Sequence, residues 1–213
     1  KISEAMLLES SHGKSYIAPL YLYGENNQEG IAKSNFTQKF QDFLQALPFS
    51  PSPEEIMAYI YARLHSTQYR EKYIEFLKID FPRVPFVEDE KLFYQYASLG
   101  QELIDLHLQK NNLEDDTITV NGINDNRLVE KVELNQNTLK LNDHITITGV
   151  TQEVFDFEIG SYKVIDKWLK YRKKDKITLT NNDLHHIKQM IITIKQTIEI
   201  MQKIDEVQLD NTK

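Results

Sequence analysis

The 213-residue chain contains no cysteine. Disulfide scaffolds, thiolate zinc sites and cysteine nucleophiles are therefore excluded, and a cytoplasmic location is expected. No apolar run approaches the roughly 20 residues that a membrane-spanning helix needs, so no membrane partner is expected. No charged start followed by an apolar core is present, so no signal peptide is read, and a chain that opens on Lys1 is expected to be cut from something longer. Glycine is scarce, at 7 residues. There is no Walker loop, no GxGxxG and no GxSxG, which removes the usual phosphate cradles and nucleophile elbows. The Asn-Pro-Pro-Tyr type motif of amino-methyltransferases is missing, as is an acidic cluster with a following Glu-x-Lys of the nuclease kind. Hydrophobic residues at 40% and charged residues at 27% are ordinary for a globular chain and exclude wholesale disorder.

The net charge of −7 argues against nonspecific coating of nucleic acid, which is driven by Lys and Arg. One stretch departs from this balance. Between Tyr162 and Lys176, the cations Lys163, Lys167, Lys170, Arg172, Lys173, Lys174 and Lys176 face only Asp166 and Asp175. Seven against two leaves this stretch at +5 and the rest of the chain at −12. An acidic protein with one basic stretch can meet an anion on one face; a solvated helix end is the alternative.

Periodicity divides the chain into three parts. The aromatic run Tyr16 to Tyr23 reads as a strand, with Pro19 pointing to an edge position or a bulge. Phe36, Phe40, Phe43 and Leu47 then lay one apolar stripe on a helix, with Asn35 as its expected cap. Ser52-Pro53-Glu54-Glu55 starts a second helix, with Ile56, Tyr59, Ile60 and Leu64 as its inner face. Ser66 or Thr67 caps a third, carrying Tyr69, Tyr73, Phe76 and Leu77. The two prolines of Phe81-Pro82-Arg83-Val84-Pro85-Phe86 forbid helix there. Leu92, Tyr96, Leu99, Leu103 and Leu106 mark a long fourth helix.

After Asn111 the pattern changes to short, partly alternating β segments around an Asn121-Gly122 turn, which read as a small antiparallel sheet. The end is helical again, with a helix over Tyr162 to Arg172. A seam of Leu184, Ile187, Ile191, Ile194, Ile198 and Met201 follows, which predicts one long helix packed antiparallel on its own domain rather than a coiled coil. The expectation is one α+β domain over 1–213, predominantly helical. Its helical part lies at about 33–111, its sheet at about 115–150 and its C-terminal helices at about 161–208.

Little of this carries catalytic chemistry. Glu88-Asp89-Glu90 suits a helix N-terminus better than a cation site. The six histidines show no i, i+4 pair, and without cysteine no metal site is expected. His65 and His107 end helical stripes, where a hydrogen-bonded structural imidazole is the ordinary reading. No catalytic residue is assigned. Two stretches remain. On the basic helix, Lys163, Lys167 and Lys170 share one face and Val164, Trp168 and Tyr171 the neighbouring one, an arrangement that suits phosphate contact. Arg83, held between prolines, can read a guanine edge or a phosphate, or simply pair with an acidic neighbour.

Several ordered blocks resemble one family. Tyr59 to Ser66, Tyr69 to Tyr73 and Phe76 to Pro85 are similar to the C-terminal specificity region of Type ISP restriction-modification enzymes. So are Leu99-Gly100-Gln101-Glu102-Leu103 with Leu106-His107, Ile159 to Tyr162 with Lys167 to Arg172, the opening Pro19 to Tyr23, and the closing helix through Ile204-Asp205. The likeness runs over roughly Ser15 to Asp205. Ser161 stands where a second Gly is common, and Tyr171 where an acidic residue is common.

The resemblance implies a parent polypeptide with nuclease, helicase-like ATPase, adenine methyltransferase and target-recognition parts, using S-adenosylmethionine, ATP and Mg. This chain would be the noncatalytic recognition end, without a cofactor of its own. Its partners would be double-stranded DNA and the methyltransferase domain of the same polypeptide. On that reading Lys163, Lys167, Lys170, Arg172, Lys173 and Lys174 neutralise phosphates, while Arg83, Asn121, Asn124 and Arg127 approach base edges. The rival is a docking module whose apolar seams, Leu92–Leu106 and Leu184–Met201, clamp neighbouring domains with little DNA contact.

Overall fold

The computed structural model describes residues 19–23, 32–110, 112–122, 126–160 and 162–210, with backbone alone at 208–210. Strands β1 (Tyr21–Leu22) and β2 (Lys33–Ser34) pair antiparallel and lead into helices α1 (Gln38–Gln45), α2 (Pro53–His65), α3 (Thr67–Leu77) and α4 (Glu90–His107). Strands β3 (Thr119–Asn121), β4 (Glu133–Asn135), β5 (Thr138–Lys140) and β6 (Thr146–Thr148) form an antiparallel sheet in the order β3-β6-β5-β4. Helix α5 (Gln152–Asp156), the hairpin of β7 (Glu158–Ile159) and β8 (Tyr162–Lys163), helix α6 (Val164–Lys174) and the 30-residue α7 (Asn181–Asp210) complete the chain. The fold is α+β and mainly helical, as the periodicity predicts.

Local chemistry places the helix starts. Ser52 forms a reciprocal capping box with Glu55, and Ser66 both ends α2 and caps α3. Asp89 caps α4, so the Glu88-Asp89-Glu90 run belongs to a helix start. One cap differs from expectation: Thr37, not Asn35, accepts the amide of Phe40 at α1. Asn35 is occupied instead, its amide groups donating to the carbonyls of Leu20 and Pro19 in the β1–β2 pairing. The basic helix also begins later than expected, because Tyr162 and Lys163 extend as β8. Helix α5 and the β7–β8 hairpin carry no sequence expectation, being too short for a period to show. Of the opening run, Tyr16 to Ala18 lie outside the described residues.

Two apolar clusters form the core. One joins the sheet to α5, α6 and the first half of α7 through Leu139, Ile147, Ile165, Leu169 and Ile187. The other joins α2 and α4 to the second half of α7 through Tyr59, Phe93, Tyr96, Ile200 and Ile204. Helix α7 therefore runs through both. It lies antiparallel to α4: His107 meets Thr197, whereas Leu113, further along the chain, meets Gln189. Leu103, Leu106, Leu184, Ile187 and Ile191 are buried within this fold, so the seams are spent internally. Gly100 lets α4 approach α2, since a Cβ there would lie 1.8 Å from the Ala58 carbonyl oxygen. No described helix is long and apolar enough to cross a membrane.

Candidate nucleic-acid interface

Helix α6 buries Ile165 and Leu169 and presents its cations outward. They are not equivalent. Lys163 Nζ pairs with Asp156 across the β7–β8 hairpin at 2.7 Å, and this contact raises the lysine pKa and lowers that of the carboxyl. Lys170 pairs with Asp166 one turn back at 2.8 Å yet keeps 66% of its side chain exposed. Lys167 lies over the Tyr162 ring at 3.2 Å. Arg172 is the most constrained: its guanidinium sits 3.3 Å over the Trp168 ring and donates from Nη2 to Asp183 Oδ1 at 3.0 Å. Among the described residues no ion pair engages Lys173 or Lys174, which end the helix exposed. Trp168 is half-buried against the sheet-side core, so the aromatic stripe is partly structural.

The first turn of α7 gathers the neighbouring groups. Thr180 and Asp183 cap it reciprocally, Thr180 Oγ1 donating to Asp183 Oδ2 and accepting the Asp183 amide. These Thr180 bonds, with Arg172 behind them, hold the Asp183 carboxyl below the usual range. Arg127 Nη1 donates to Asn181 Oδ1 at 2.7 Å in the same turn, and the Leu179 amide donates to the Arg127 carbonyl. Arg127 and Arg172 are thus anchored by residues two apart on one helix end, and this brings the 126–128 segment beside the basic end of α6.

Buried Asn142 holds the base of that segment. Its amide donates to the carbonyls of Asn126 and Leu128, and its oxygen accepts the amides of His144 and Ile145. Gly122 approaches the His144 carbonyl so closely that a Cβ would come to 1.7 Å, at φ +74°. Asn121 is exposed beside it at the end of β3, and Asn124 lies outside the described residues. Asn142 and the Thr180–Asp183 cap were not anticipated. The Thr-x-x-Asp spacing signals such a cap; Asn142 makes a local turn with the His144 and Ile145 amides, but nothing in the sequence marks its carbonyl partners 14 and 16 residues away.

Arg83 is placed differently. It stands between α3 and α4, with its carbonyl accepting from the buried Tyr69 hydroxyl. Its side chain is 93% exposed and pairs loosely with Asp80 at 3.7 Å. No contact joins it to α6 or to the start of α7 among the described residues.

His65 and His107 are structural. Thr197 donates its hydroxyl proton to the Thr193 carbonyl, so it accepts from His107 Nε2, and His107 Nδ1 accepts from the Tyr61 hydroxyl. Burial pushes both imidazole pKa values down. No group of three or more His, Asp or Glu residues able to hold a metal ion exists among the described residues.

Comparison with known proteins gives a consistent result. The family model described as the Type ISP C-terminal specificity domain matches residues 1–203. No curated protein matches the chain. Among solved structures, the ATP-dependent Type ISP restriction-modification enzyme LlaBIII bound to DNA is similar over 87% of this chain, at 25% identity and a TM-score of 0.65. A nuclease-deletion mutant of the Type ISP enzyme LlaGI, in complex with a DNA substrate mimic, is similar over 70% at 26% identity, with a TM-score of 0.56. The DrdV chain of a DrdV–DNA complex shares the fold over 88% of this chain at 22% identity, with a TM-score of 0.67. The chain spans 13% of the first two structures and 21% of the third.

Proposed function

Because the chain belongs to the family of Type ISP C-terminal specificity domains, we propose that it recognises a target sequence in duplex DNA and holds that DNA for an adenine methyltransferase and restriction activities carried elsewhere in a parent polypeptide. The chain itself is noncatalytic in this reading. S-adenosylmethionine, ATP and magnesium belong to other parts of the parent, which works in the cytoplasm, and the methyltransferase domain is its partner within the polypeptide.

One observation carries the proposal: the exposed cationic end of α6 stands beside the Arg127 segment at the first turn of α7. Phosphate contacts position a protein on DNA, whereas base-edge contacts specify sequence. Lys170, Lys173 and Lys174 are the cations best able to meet phosphate, with Lys167 and Lys163 at the helix start. Arg172 acts as their brace, since Trp168 and Asp183 hold it. Asn121, Asn124 and Arg127 are assigned to the base edges. Arg83 is left out, because it sits on the helical half without contact to this cluster.

Fluorescence anisotropy with a random-sequence duplex tests the assignment. Lys170→Glu combined with Lys174→Glu should lower affinity at least tenfold at low salt. The exposed Lys91→Glu, in the first turn of α4, should leave it unchanged. Equal effects from both changes would remove the basic helix from the interface.

A further inference from the structure

Among the described residues, exposed apolar side chains gather at two places: Ile159, Tyr162 and Tyr171 beside the cations of α6, and Ile74 to Phe81 at the end of α3. Phe76, Ile79 and Phe81 are 67%, 81% and 67% exposed, and with Tyr69 and Tyr73 they line a groove of about 400 Å3 at the end of α3. The groove is built rather than frayed. The buried Tyr69 donates its hydroxyl to the Arg83 carbonyl, and the Ile79 and Asp80 amides donate to the Phe76 carbonyl. Asp80 Oδ1 accepts the Phe81 amide. Contiguous apolar surface held out to water in this way marks a contact site on a soluble domain.

The charges around the groove say what kind of contact. Over residues 69–83 the cations Arg70, Lys72, Lys78 and Arg83 meet the anions Glu71, Glu75 and Asp80, a net of +1, while the groove lining itself carries one charge of each sign, Asp80 and Arg83. Two of these make local pairs, Lys78 with Glu75 and Arg83 with Asp80. A lining with its charges balanced has little pull on phosphates, whose binding depends on uncompensated cations. An apolar centre with a polar rim is the anatomy of a protein–protein contact.

The similar structures carry this domain as 13% to 21% of a much longer chain. We propose that the groove of Tyr69, Tyr73, Phe76, Ile79 and Phe81 seats an apolar ridge from the remainder of the same polypeptide, fixing the specificity domain against its neighbour. This rests on the reading of the chain as the recognition end of a longer enzyme. It gives docking a surface separate from the basic end of α6.

Hydrogen exchange over residues 72–83 tests it, measured in the 213-residue chain and in the intact parent polypeptide, each with and without Phe76→Ser, Ile79→Ser and Phe81→Ser. At least tenfold slower exchange in the parent is expected, lost in the triple variant while circular dichroism stays unchanged. Equal rates in both forms overturn the proposal. So does slowing that appears in the 213-residue chain with rising concentration and a dimer mass in sedimentation, which would make the occupant a second copy. Slowing that appears only with duplex DNA also overturns it. The triple variant of the 213-residue chain should keep wild-type duplex affinity, and weakened affinity would move the groove to the DNA face. A chain that binds no duplex at all would sink the DNA reading while leaving the exchange result to stand.

Discussion

At the scale of single residues, small side chains and neutral imidazoles decide how the helical half holds together. Gly100→Ala would drive a methyl group into the Ala58 carbonyl. Overpacking of this kind costs about 1–3 kcal/mol or more, so the urea midpoint should fall clearly. Gly160→Ala meets no atom within 4 Å and bears only the strain of its φ of +64°, about 1–2 kcal/mol. His65 and His107 give the protein a pH dependence. Their folded pKa values lie below the ordinary 6.5 because burial disfavours the charged ring. As pH falls below 6.5 the unfolded chain takes up protons first, so stability declines until the folded imidazoles titrate as well. Denaturation at pH 7.5 and 5.5 should show this loss, and His65→Gln with His107→Gln should flatten it. A further loss is expected in strong acid. Asp115 is held at about 2 by Lys195 and Thr117, so its contribution disappears as pH falls from its unfolded value toward 2.

At the scale of elements, joints between distant segments matter more than the segments themselves. Asp205, near the end of α7, accepts from the Ser66 hydroxyl and from the amides of Thr67 and Gln68. It therefore caps α3 from the far end of the chain. Asp205→Ala should cost about 1–2 kcal/mol, as a lost cap does, and should speed hydrogen exchange in α3 before α2. Elements with a long period or a strong start signal were legible in the sequence: Ser52 with Glu55, the Ser66 cap, and the seams of α4 and α7. Exceptions have local causes. Asn35 is drawn into the β1–β2 pairing and leaves the cap to Thr37. Tyr162 and Lys163 are claimed by a hairpin whose partners, Glu158 and Ile159, offer no pattern of their own. The seams were also open to two readings, and burial against α2 and the sheet decides for internal packing.

At the scale of the whole molecule, the surface divides into unlike faces. The basic stretch was visible as charge, and its net +5 stands out in an acidic chain. Which cations are free to meet phosphate was not visible, because their partners are chosen by folding. Asp156 reaches Lys163 across a hairpin, and Asp183 reaches Arg172 across the turn between helices. Arg83 and the basic helix read alike as exposed cations in the sequence, yet they stand on different parts of the fold. The apolar groove beside Arg83 and the cationic end of α6 suit a protein neighbour and a duplex respectively.

In the proposed function this domain touches the DNA backbone itself. The most direct measurement of that contact is the affinity of the 213-residue chain for a random-sequence duplex across a salt series. A linear fall of log affinity with log salt is expected, with a slope of about −3 if Lys170, Lys173 and Lys174 alone each meet a phosphate at roughly −0.9, and steeper if Lys163 and Lys167 join them. Salt-independent affinity, or no binding even at low salt, would contradict it.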